Sequence, residues 1–298
     1  MMLAVLLLVA TGLGWAFTGV LLSYCARRQV ATVTLLGPMN LLGLLIVFTV
    51  LPDYGRLRGG LLAGEWALAG VMLAAGMINA WGLLTLQRAM RRGHHGVTWA
   101  IGQSAMVVPF LVGVLVFGDA PGAWRLVGFA AILVSLFVLG RAEAEPDAAT
   151  ERQAGSGWML QALSAMALLG VGQVLSALPS YLPALADGAR LRLPMFLLGN
   201  GSVMVVLWGR HGGRPDRRTL ALALIGCVTG LAATLAMFRG LDLLAAVRLG
   251  ALGFPIAVGT CIVGFATYSA AVLREPLTRE RAMGLLLGLA GVVLLAIS

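Results

Sequence analysis

Polar and aromatic side chains interrupt the apolar stretches of this sequence at spacings that put them on common helix faces. Two such sets are Thr11, Trp15 and Thr18 near the amino terminus, and Gln173, Ser176 and Ser180 in the second half. A polar group at mid-membrane depth costs about 1–3 kcal/mol unless it is paired. Each set therefore predicts either a hydrogen bond between helices or a ligand site.

The side chains best suited to bind a ligand are carboxamides, aromatic rings and one arginine. They are Trp15, Asn79, Trp99, Gln103, Gln173, Arg248 and Tyr268. Each also has a structural interpretation. Trp99 lies near a span start and could anchor it at the interface, and the glutamines could bridge helices.

Arg248 follows a tight turn beside Arg239 and Asp242 and lies just inside an apolar span. A guanidinium there could hold a carboxylate or phosphate group. The alternative is an Arg–Asp pair that ties the turn, with Arg248 extending to the interface.

The sequence offers little for catalysis. His94, His95 and His211 lie in arginine-rich connections, and no nucleophile or zinc-protease motif is present. We therefore expect no enzyme activity, no metal site and no cofactor. No carboxylate lies mid-span, which disfavours proton coupling and a strongly cationic substrate. The three cysteines, which lie in or beside apolar stretches, are interpreted as core residues.

Composition defines the elements that must position these side chains. Hydrophobic residues make up 60% of the chain, charged residues 11%, and the mean hydropathy is +0.95. This predicts an all-α integral membrane protein, because backbone amides in lipid must be satisfied within a helix. All 21 basic residues are arginines at span ends and in loops, where they would meet lipid headgroups; we expect no nucleic-acid binding. The predicted spans are 2–24, 30–51, 62–87, 96–117, 122–140, 157–181, 192–209, 218–238, 247–272 and 280–297.

The chain resembles itself at a nearly constant offset. Asp119, Arg125 and Gly128 recur 156 positions later as Glu275, Arg281 and Gly284, and two further motifs recur at offsets of 157–158. Those motifs are the Gly-x-Gly at 12–14 and 170–172 and the Ser-Tyr at 23–24 and 180–181. We therefore expect a repeat at 1–140, a loop at 141–156 and a repeat at 157–298. Since each repeat has five spans, the ten transmembrane helices form two inverted five-helix repeats.

Two features concern movement and assembly. Pro109 and Pro255 are predicted to kink their spans at corresponding mid-membrane positions and to act as hinges. Gly284 and Gly288 form a small-residue face on the tenth span. That face would allow a homodimer contact or close packing inside one bundle.

Arginine placement predicts the orientation. Of the 21 arginines, 14 fall in connections on one side and 7 on the other. The positive-inside rule then puts both termini outside the cytoplasm.

The stretch 107–128, with Pro109 and Asp119, and the stretch 271–291, with Glu275 and Pro276, resemble the drug/metabolite transporter superfamily in its EamA-like branch. The segment from Trp99 to Gln103 is also similar, more faintly, to the glucose/rhamnose uptake branch. The resemblance covers the whole chain. It implies a central cavity lined by spans 1, 3, 4, 6, 8 and 9, termini in the cytoplasm against the arginine count, and turn roles for the two acidic residues.

These observations favour a secondary transporter of the bacterial inner membrane that moves a small polar or amphipathic metabolite by alternating access. Export is favoured over uptake, and a sugar uptake permease is the alternative. A non-transporting scaffold or lipid-handling subunit is the alternative of another class. It predicts a closed apolar centre in which Gln103 and Gln173 bond to neighbouring helices.

Overall fold

A computed structural model describes residues 1–28, 30–50, 63–90, 95–142, 157–186, 189–272 and 278–297. Within these ranges the regular structure is helical and contains no strand. Glu275, Pro276, His94 and most of the predicted inter-repeat loop lie outside the described residues.

The first half of the chain contains five helical segments, the fourth of which is divided. They are α1 Met2–Arg27, α2 Thr32–Val50, α3 Ala63–Met90, α4a His95–Gln103 with α4b Val107–Leu115, and α5 Ala123–Ala142. A 3₁₀ turn, Ser104–Met106, joins the two parts of the fourth segment.

The second half repeats this order. Its helices are α6 Gly157–Tyr181, α7 Ala189–His211, α8 Arg217–Ala245, α9 Gly253–Ala271 and α10 Arg279–Ile297. A single helical turn, Pro183–Ala186, precedes α7, and the 3₁₀ turn Gly250–Leu252 precedes α9.

Among the described residues, nine segments are long and apolar enough to cross a membrane, and the apolar part of α5, Ala123–Leu139, is shorter. A bilayer core requires about 20 helical residues. The prediction of an all-α, multi-pass membrane protein agrees with this architecture.

The largest contacts between helices keep the same pattern when the two halves are exchanged. The helix α3 packs on α6 as α8 packs on α1, and α3 packs on α7 as α8 packs on α2. Likewise α4a and α4b pack on α6 as α9 packs on α1, and α4a packs on α5 as α9 packs on α10. The remaining large contacts, α2 with α7 and α5 with α10, each join the corresponding helices of the two halves.

The Gly-x-Gly motifs occupy matching places in this pattern. Gly12 packs against α9, and Gly170 packs against α4b. Gly14 packs against α8, and Gly172 packs against α3. A small residue lets two backbones approach closely, so the motifs mark the points where α1 and α6 each contact two neighbours.

The α5–α10 contact shows how the small-residue face of α10 is used. Gly128 meets the backbone of Gly291, and the Ser135 hydroxyl donates to the Gly284 carbonyl oxygen at 2.6 Å. Gly288 also lies against Ser135. The partners run in opposite order, so the two helices are antiparallel. The face expected to serve a homodimer is therefore covered inside the chain, and the alternative of packing within one bundle describes it.

The two ends of the bundle differ. The end that carries Met1 and the carboxyl-terminal part of α10, here called the terminal end, brings together the end of α8 and the start of α1, where Gly240 packs on Leu8. At the opposite, arginine-rich end, Gly213 at the end of α7 donates to Thr34 at the start of α2, and Arg218 lies over the ring of Tyr24. The largest hydrophobic cluster includes Leu241, Leu244, Ala251 and Leu252, which lie at the terminal end.

Candidate functional site

A cavity of about 250 Å³ lies in the middle of the bundle. All helices except α5 and α10 contribute to its lining, so the segments expected to stand apart from it do so, while α2 and α7 contribute as well. The polar and aromatic residues of the lining are Trp15, Thr18, Asn40, Asn79, Trp99, Gln103, Gln173, Phe196, Asn200 and Thr234. This volume is slightly below the range of about 300–1,000 Å³ typical of ligand pockets.

Five of the seven side chains singled out as ligand candidates line this cavity: Trp15, Asn79, Trp99, Gln103 and Gln173. Arg248 does not. It is exposed in the turn between α8 and α9 with φ of 57°, a left-handed conformation. Tyr268 lies toward the far end of α9 beside Phe265 and is not among the lining residues.

A chain of carboxamides crosses one wall of the cavity. The Asn79 Nδ2 donates to Oδ1 of Asn200 at 3.2 Å, and the Asn200 Nδ2 donates to Oδ1 of Asn40 at 2.8 Å. The chain ends on the backbone of α2, where the Asn40 Nδ2 donates to the Leu36 carbonyl oxygen at 2.8 Å. It joins α3, α7 and α2 and therefore spans both halves of the protein.

Asn40 and Asn200 are absent from the sequence-derived candidates. A signal existed, because each is a carboxamide inside an apolar span and their separation is close to the repeat offset. Such a pair at matched positions of two helices that contact each other is expected to meet at the axis relating the halves.

The two tryptophans are held by other aromatic rings. Trp15 stacks with Phe254, and Trp99 lies beside Phe265, each with ring centroids 6.4 Å apart. Aromatic pairs at such distances restrict ring motion. The cavity therefore has two supported indole walls.

The hydroxyls and the glutamines of the lining differ in what they leave unpaired. Thr18 and Thr234 donate to their own helix backbones, at Gly14 and Gly230. The Gln173 Oε1 is buried and has no hydrogen-bond partner among the described residues. The threonines therefore bond within their own helices, whereas the Gln173 Oε1 is an acceptor that the surrounding protein encloses and that no described residue pairs.

An ion pair closes the terminal end below the cavity. The Arg192 Nη1 donates to Asp242 Oδ1 at 2.7 Å, and the arginine side chain is only 4% exposed. The Arg192 Nη2 donates to the Ser176 carbonyl oxygen and to the Ser180 hydroxyl, and the guanidinium lies 4.3 Å from the centre of the Phe238 ring. The pair joins α6, α7 and α8.

The sequence suggested an Arg–Asp pair within the turn, in which Arg239 would bind Asp242, and the structure gives Asp242 the partner Arg192 instead. Arg239 is exposed. Arg192 lies at the start of a predicted span and was counted with the loop arginines. Its partner follows it by fifty positions, so no local pattern indicates the pair.

A second set of contacts closes the same end. The Tyr181 hydroxyl donates to Asp119 Oδ2 at 2.7 Å, and the Tyr181 ring stacks on Phe117 with centroids 4.1 Å apart. The same carboxylate accepts from the backbone amide of Ala251 in the turn that begins α9. Asp119 therefore connects α4b, α6 and α9, as a turn residue that also fastens three helices. The four polar residues that close this end are together called the terminal-end cluster: Asp119, Tyr181, Arg192 and Asp242.

Pro109 and Pro255 occupy equivalent local positions, each the third residue of an α-helix that follows a 3₁₀ turn. Pro255 is in the first turn of α9, where the missing amide needs no helical partner. Pro109 is in α4b just after the 3₁₀ turn, and the Ala105 carbonyl oxygen that would have accepted its bond faces Gly170 of α6. In α4 the 3₁₀ turn divides two α-helical segments, whereas at α9 it begins the span.

No family model matches the sequence, and no curated protein does. A solved structure described only as the crystal structure of a protein is similar over 99% of this chain and 97% of its own, with a TM-score of 0.69 and 14% identity. That likeness shows the fold alone.

Proposed function

We propose that this protein is a secondary transporter of the bacterial inner membrane, built as ten transmembrane helices in two inverted five-helix repeats. Three observations support the repeat: the similar pattern of large helix contacts in the two halves, the matched Gly-x-Gly contacts and the antiparallel α5–α10 pair. We also propose that it belongs with the EamA-like branch of the drug/metabolite transporters, a relationship resting on the motifs around Asp119 and Gly284.

The observation that carries the transport proposal is a cavity lined by both halves and closed at one end by partnered polar groups. The cavity reaches Leu22, Leu86 and Trp99, near the arginine-rich ends of their helices. In the other direction it stops at Phe196, one turn after Arg192. Such a molecule exposes its site to one side of the membrane and would reach the other side if the halves rocked.

A scaffold would need no such cavity and would use Gln103 and Gln173 as bridges between helices. Both glutamines line the cavity instead, and Gln173 leaves its carbonyl oxygen without a described partner. The cavity therefore favours the transporter over the scaffold or lipid-handling subunit. Nothing in its lining suggests a nucleophile–base pair, and we propose no enzyme activity.

The interruption of α4 is the proposed hinge. The 3₁₀ turn and Pro109 together weaken the helix between Gln103, which lines the cavity, and Asp119, which belongs to the terminal-end cluster. Bending there would move the two regions relative to each other.

For orientation we follow the arginine count and place the arginine-rich end in the cytoplasm. The cavity would then be reached from the cytoplasm, as loading for export requires. An alkaline phosphatase fused after Ser298 should be active and a green fluorescent protein should be dark. The reverse result would place the termini inside, as the family resemblance implies, and would favour uptake.

Alternating access can be tested without knowing the substrate. In a background with Cys25→Ala, Cys227→Ala and Cys261→Ala, one spin-label pair is placed at the terminal end through Leu182→Cys and Val247→Cys, which are exposed positions. A second pair is placed at the arginine-rich end through Arg28→Cys and Arg217→Cys, also exposed.

In lipid vesicles, a transporter should show a second population in which the terminal-end distance lengthens and the arginine-rich-end distance shortens. Asp242→Asn should enlarge that population, because it removes the charge that holds Arg192. A single distance at both ends, unchanged by Asp242→Asn, would show a static scaffold and end the transport proposal.

A further inference from the structure

The lining of the cavity carries no formal charge. Among its described residues there is no aspartate, glutamate, arginine or histidine, and the chain has no lysine. The nearest ion pair, Arg192 with Asp242, is internally neutral. Both terminal nitrogens of Arg192 already donate to Asp242, Ser176 and Ser180. A charged solute would therefore enter a low-dielectric space without a counter-charge, which costs several kcal/mol.

What the lining does offer is a set of hydrogen-bond acceptors. The Asn chain uses one N–H of each asparagine, and the Asn79 carbonyl oxygen has no protein donor among the described residues. The Gln173 Oε1 is buried and likewise has no hydrogen-bond partner among the described residues. Such oxygens need O–H or N–H donors, while the second N–H of each asparagine can donate to an acceptor, so the lining suits a neutral solute that carries both kinds of group.

Three aromatic side chains stand out among the otherwise mainly aliphatic residues of the lining. Trp15 and Trp99 are fixed by Phe254 and Phe265, and Phe196 is set edge-on to Phe238 at 6.0 Å. Indole faces pack against a flat or apolar ligand surface and orient it toward the carboxamides. The volume of about 250 Å³ limits the ligand to a small metabolite.

We infer that this site selects an uncharged solute that has hydroxyl or amide donors along one edge and an apolar face on the other, as in a nucleoside or a sugar. The inference rests on the proposed transport function and adds its substrate class. It excludes phosphorylated and carboxylate-bearing metabolites and free zwitterionic amino acids.

The selection can be measured with three methanethiosulfonate reagents that share an ethyl body and carry a hydroxyl, a trimethylammonium or a sulfonate group. The target is Thr234→Cys in the cysteine-free background. Thr234 lines the cavity and its hydroxyl bonds only its own helix, so cysteine should be tolerated. His211→Cys, at an exposed position in the arginine-rich end, is the control.

Relative to their rates with a free thiol, both charged reagents should modify Thr234→Cys at least about tenfold more slowly than the neutral reagent. At His211→Cys, the cationic and the anionic reagent should not both react more slowly than the neutral reagent. Equal rates for the neutral and either charged reagent at Thr234→Cys would overturn the inference. So would a complete lack of reaction, because the cavity would then be closed to solutes.

A negative charge placed in the lining should raise the modification rate of the cationic reagent. Asn200→Asp in the Thr234→Cys protein should speed the cationic reagent at least about tenfold relative to the neutral one. His211→Asp, at an exposed position where the same helix ends, should not. If both variants leave the ratio unchanged, charge in the cavity does not control entry and the inference fails.

Solutes that protect Thr234→Cys from the neutral reagent show whether the site takes a nucleoside or a sugar. Uridine is compared with uridine 5′-monophosphate, and glucose with glucose 6-phosphate. Slowing by uridine alone or by glucose alone supports a nucleoside or a sugar site, respectively. Slowing by either phosphorylated compound overturns the inference, while two spin-label populations in the same protein would leave the transport proposal standing.

Discussion

The terminal-end cluster and the central cavity both bury hydrogen-bonding side chains, mostly charged in the cluster and neutral in the cavity, and use them differently. At the terminal end, Asp119, Tyr181, Arg192 and Asp242 each bond to one another or to neighbouring groups, and within this cluster the Arg192 Nε is the one buried polar atom without a described partner. In the cavity, the Asn79 carbonyl oxygen has no described donor, and the Gln173 Oε1 is an enclosed acceptor without one. Polar groups that are mutually satisfied stabilise a closed conformation, whereas groups left unsatisfied cost stability and are available to a ligand.

The largest effect should come from breaking the ion pair at the terminal end. Asp242→Asn leaves the buried Arg192 guanidinium without its counter-charge. Such losses cost about 3–5 kcal/mol, and we expect the lower end because the Asp242 side chain is 38% exposed. Thermal unfolding in detergent measures it. Asp216→Asn is the matched control, because Asp216 is exposed and asparagine also caps helices well. Equal losses in both variants would mean that the pair does not hold the closed end.

The next effect compares two tyrosines that the repeat places at matching positions. Tyr181→Phe removes the hydrogen bond to Asp119 and should lower stability by about 1.5 kcal/mol, because the acceptor is a buried carboxylate. Tyr24→Phe, at the arginine-rich end, should change stability by less than about 0.5 kcal/mol, since the ring contact with Arg218 is retained. If the Tyr181→Phe and Tyr24→Phe proteins lose equal stability, the two ends are equally closed and the comparison fails.

A change of opposite sign is expected in the cavity. Gln173→Met removes a buried acceptor without a described partner and keeps a similar volume, so the protein should gain about 1 kcal/mol. The variant should also lose protection of Thr234→Cys by the neutral solute that protects the parent. Ser176→Ala, one turn later, is the control and should not gain stability, because its hydroxyl already donates to the Gln173 backbone. A destabilised Gln173→Met protein would show that the glutamine bridges helices after all.

The smallest effect on stability is expected at Asp216, which lies outside both the terminal-end cluster and the cavity. Hydrogen bonds from Thr219 lower the pKa of the Asp216 carboxyl, which caps α8. Because this folded-state pKa is below the unfolded value of about 3.9, the capping contribution is present at neutral pH and is lost as pH falls through the folded pKa. The melting temperatures of the parent and Asp216→Ala should therefore differ slightly at pH 7 and converge at the acid end. A gap that widens on acidification would contradict this assignment.

The cavity residues divide into those the sequence could indicate and those it could not. Trp15, Asn79, Gln103 and Gln173 were predictable, because a polar or aromatic group at mid-span in an apolar helix needs a partner or a ligand. Arg192 was not, because an arginine at a span start has the same sequence context whether it reaches headgroups or a buried carboxylate. Arg248 differs in the opposite way: its position just inside an apolar span suggested a ligand, and the structure places it exposed in the turn and away from the cavity lining.

The sequence was sufficient to predict the lipid environment, the helices and the pattern of small residues. These features depend on composition and on the spacing of residues along one helix. Apolar stretches of bilayer length and the recurring Gly-x-Gly motif required nothing further. Helix packing was needed to establish which polar groups satisfy one another and which remain around a cavity. Hydrogen bonds are short and directional, so they form only after packing brings Asn40 to Asn200 and Tyr181 to Asp119 from distant parts of the chain.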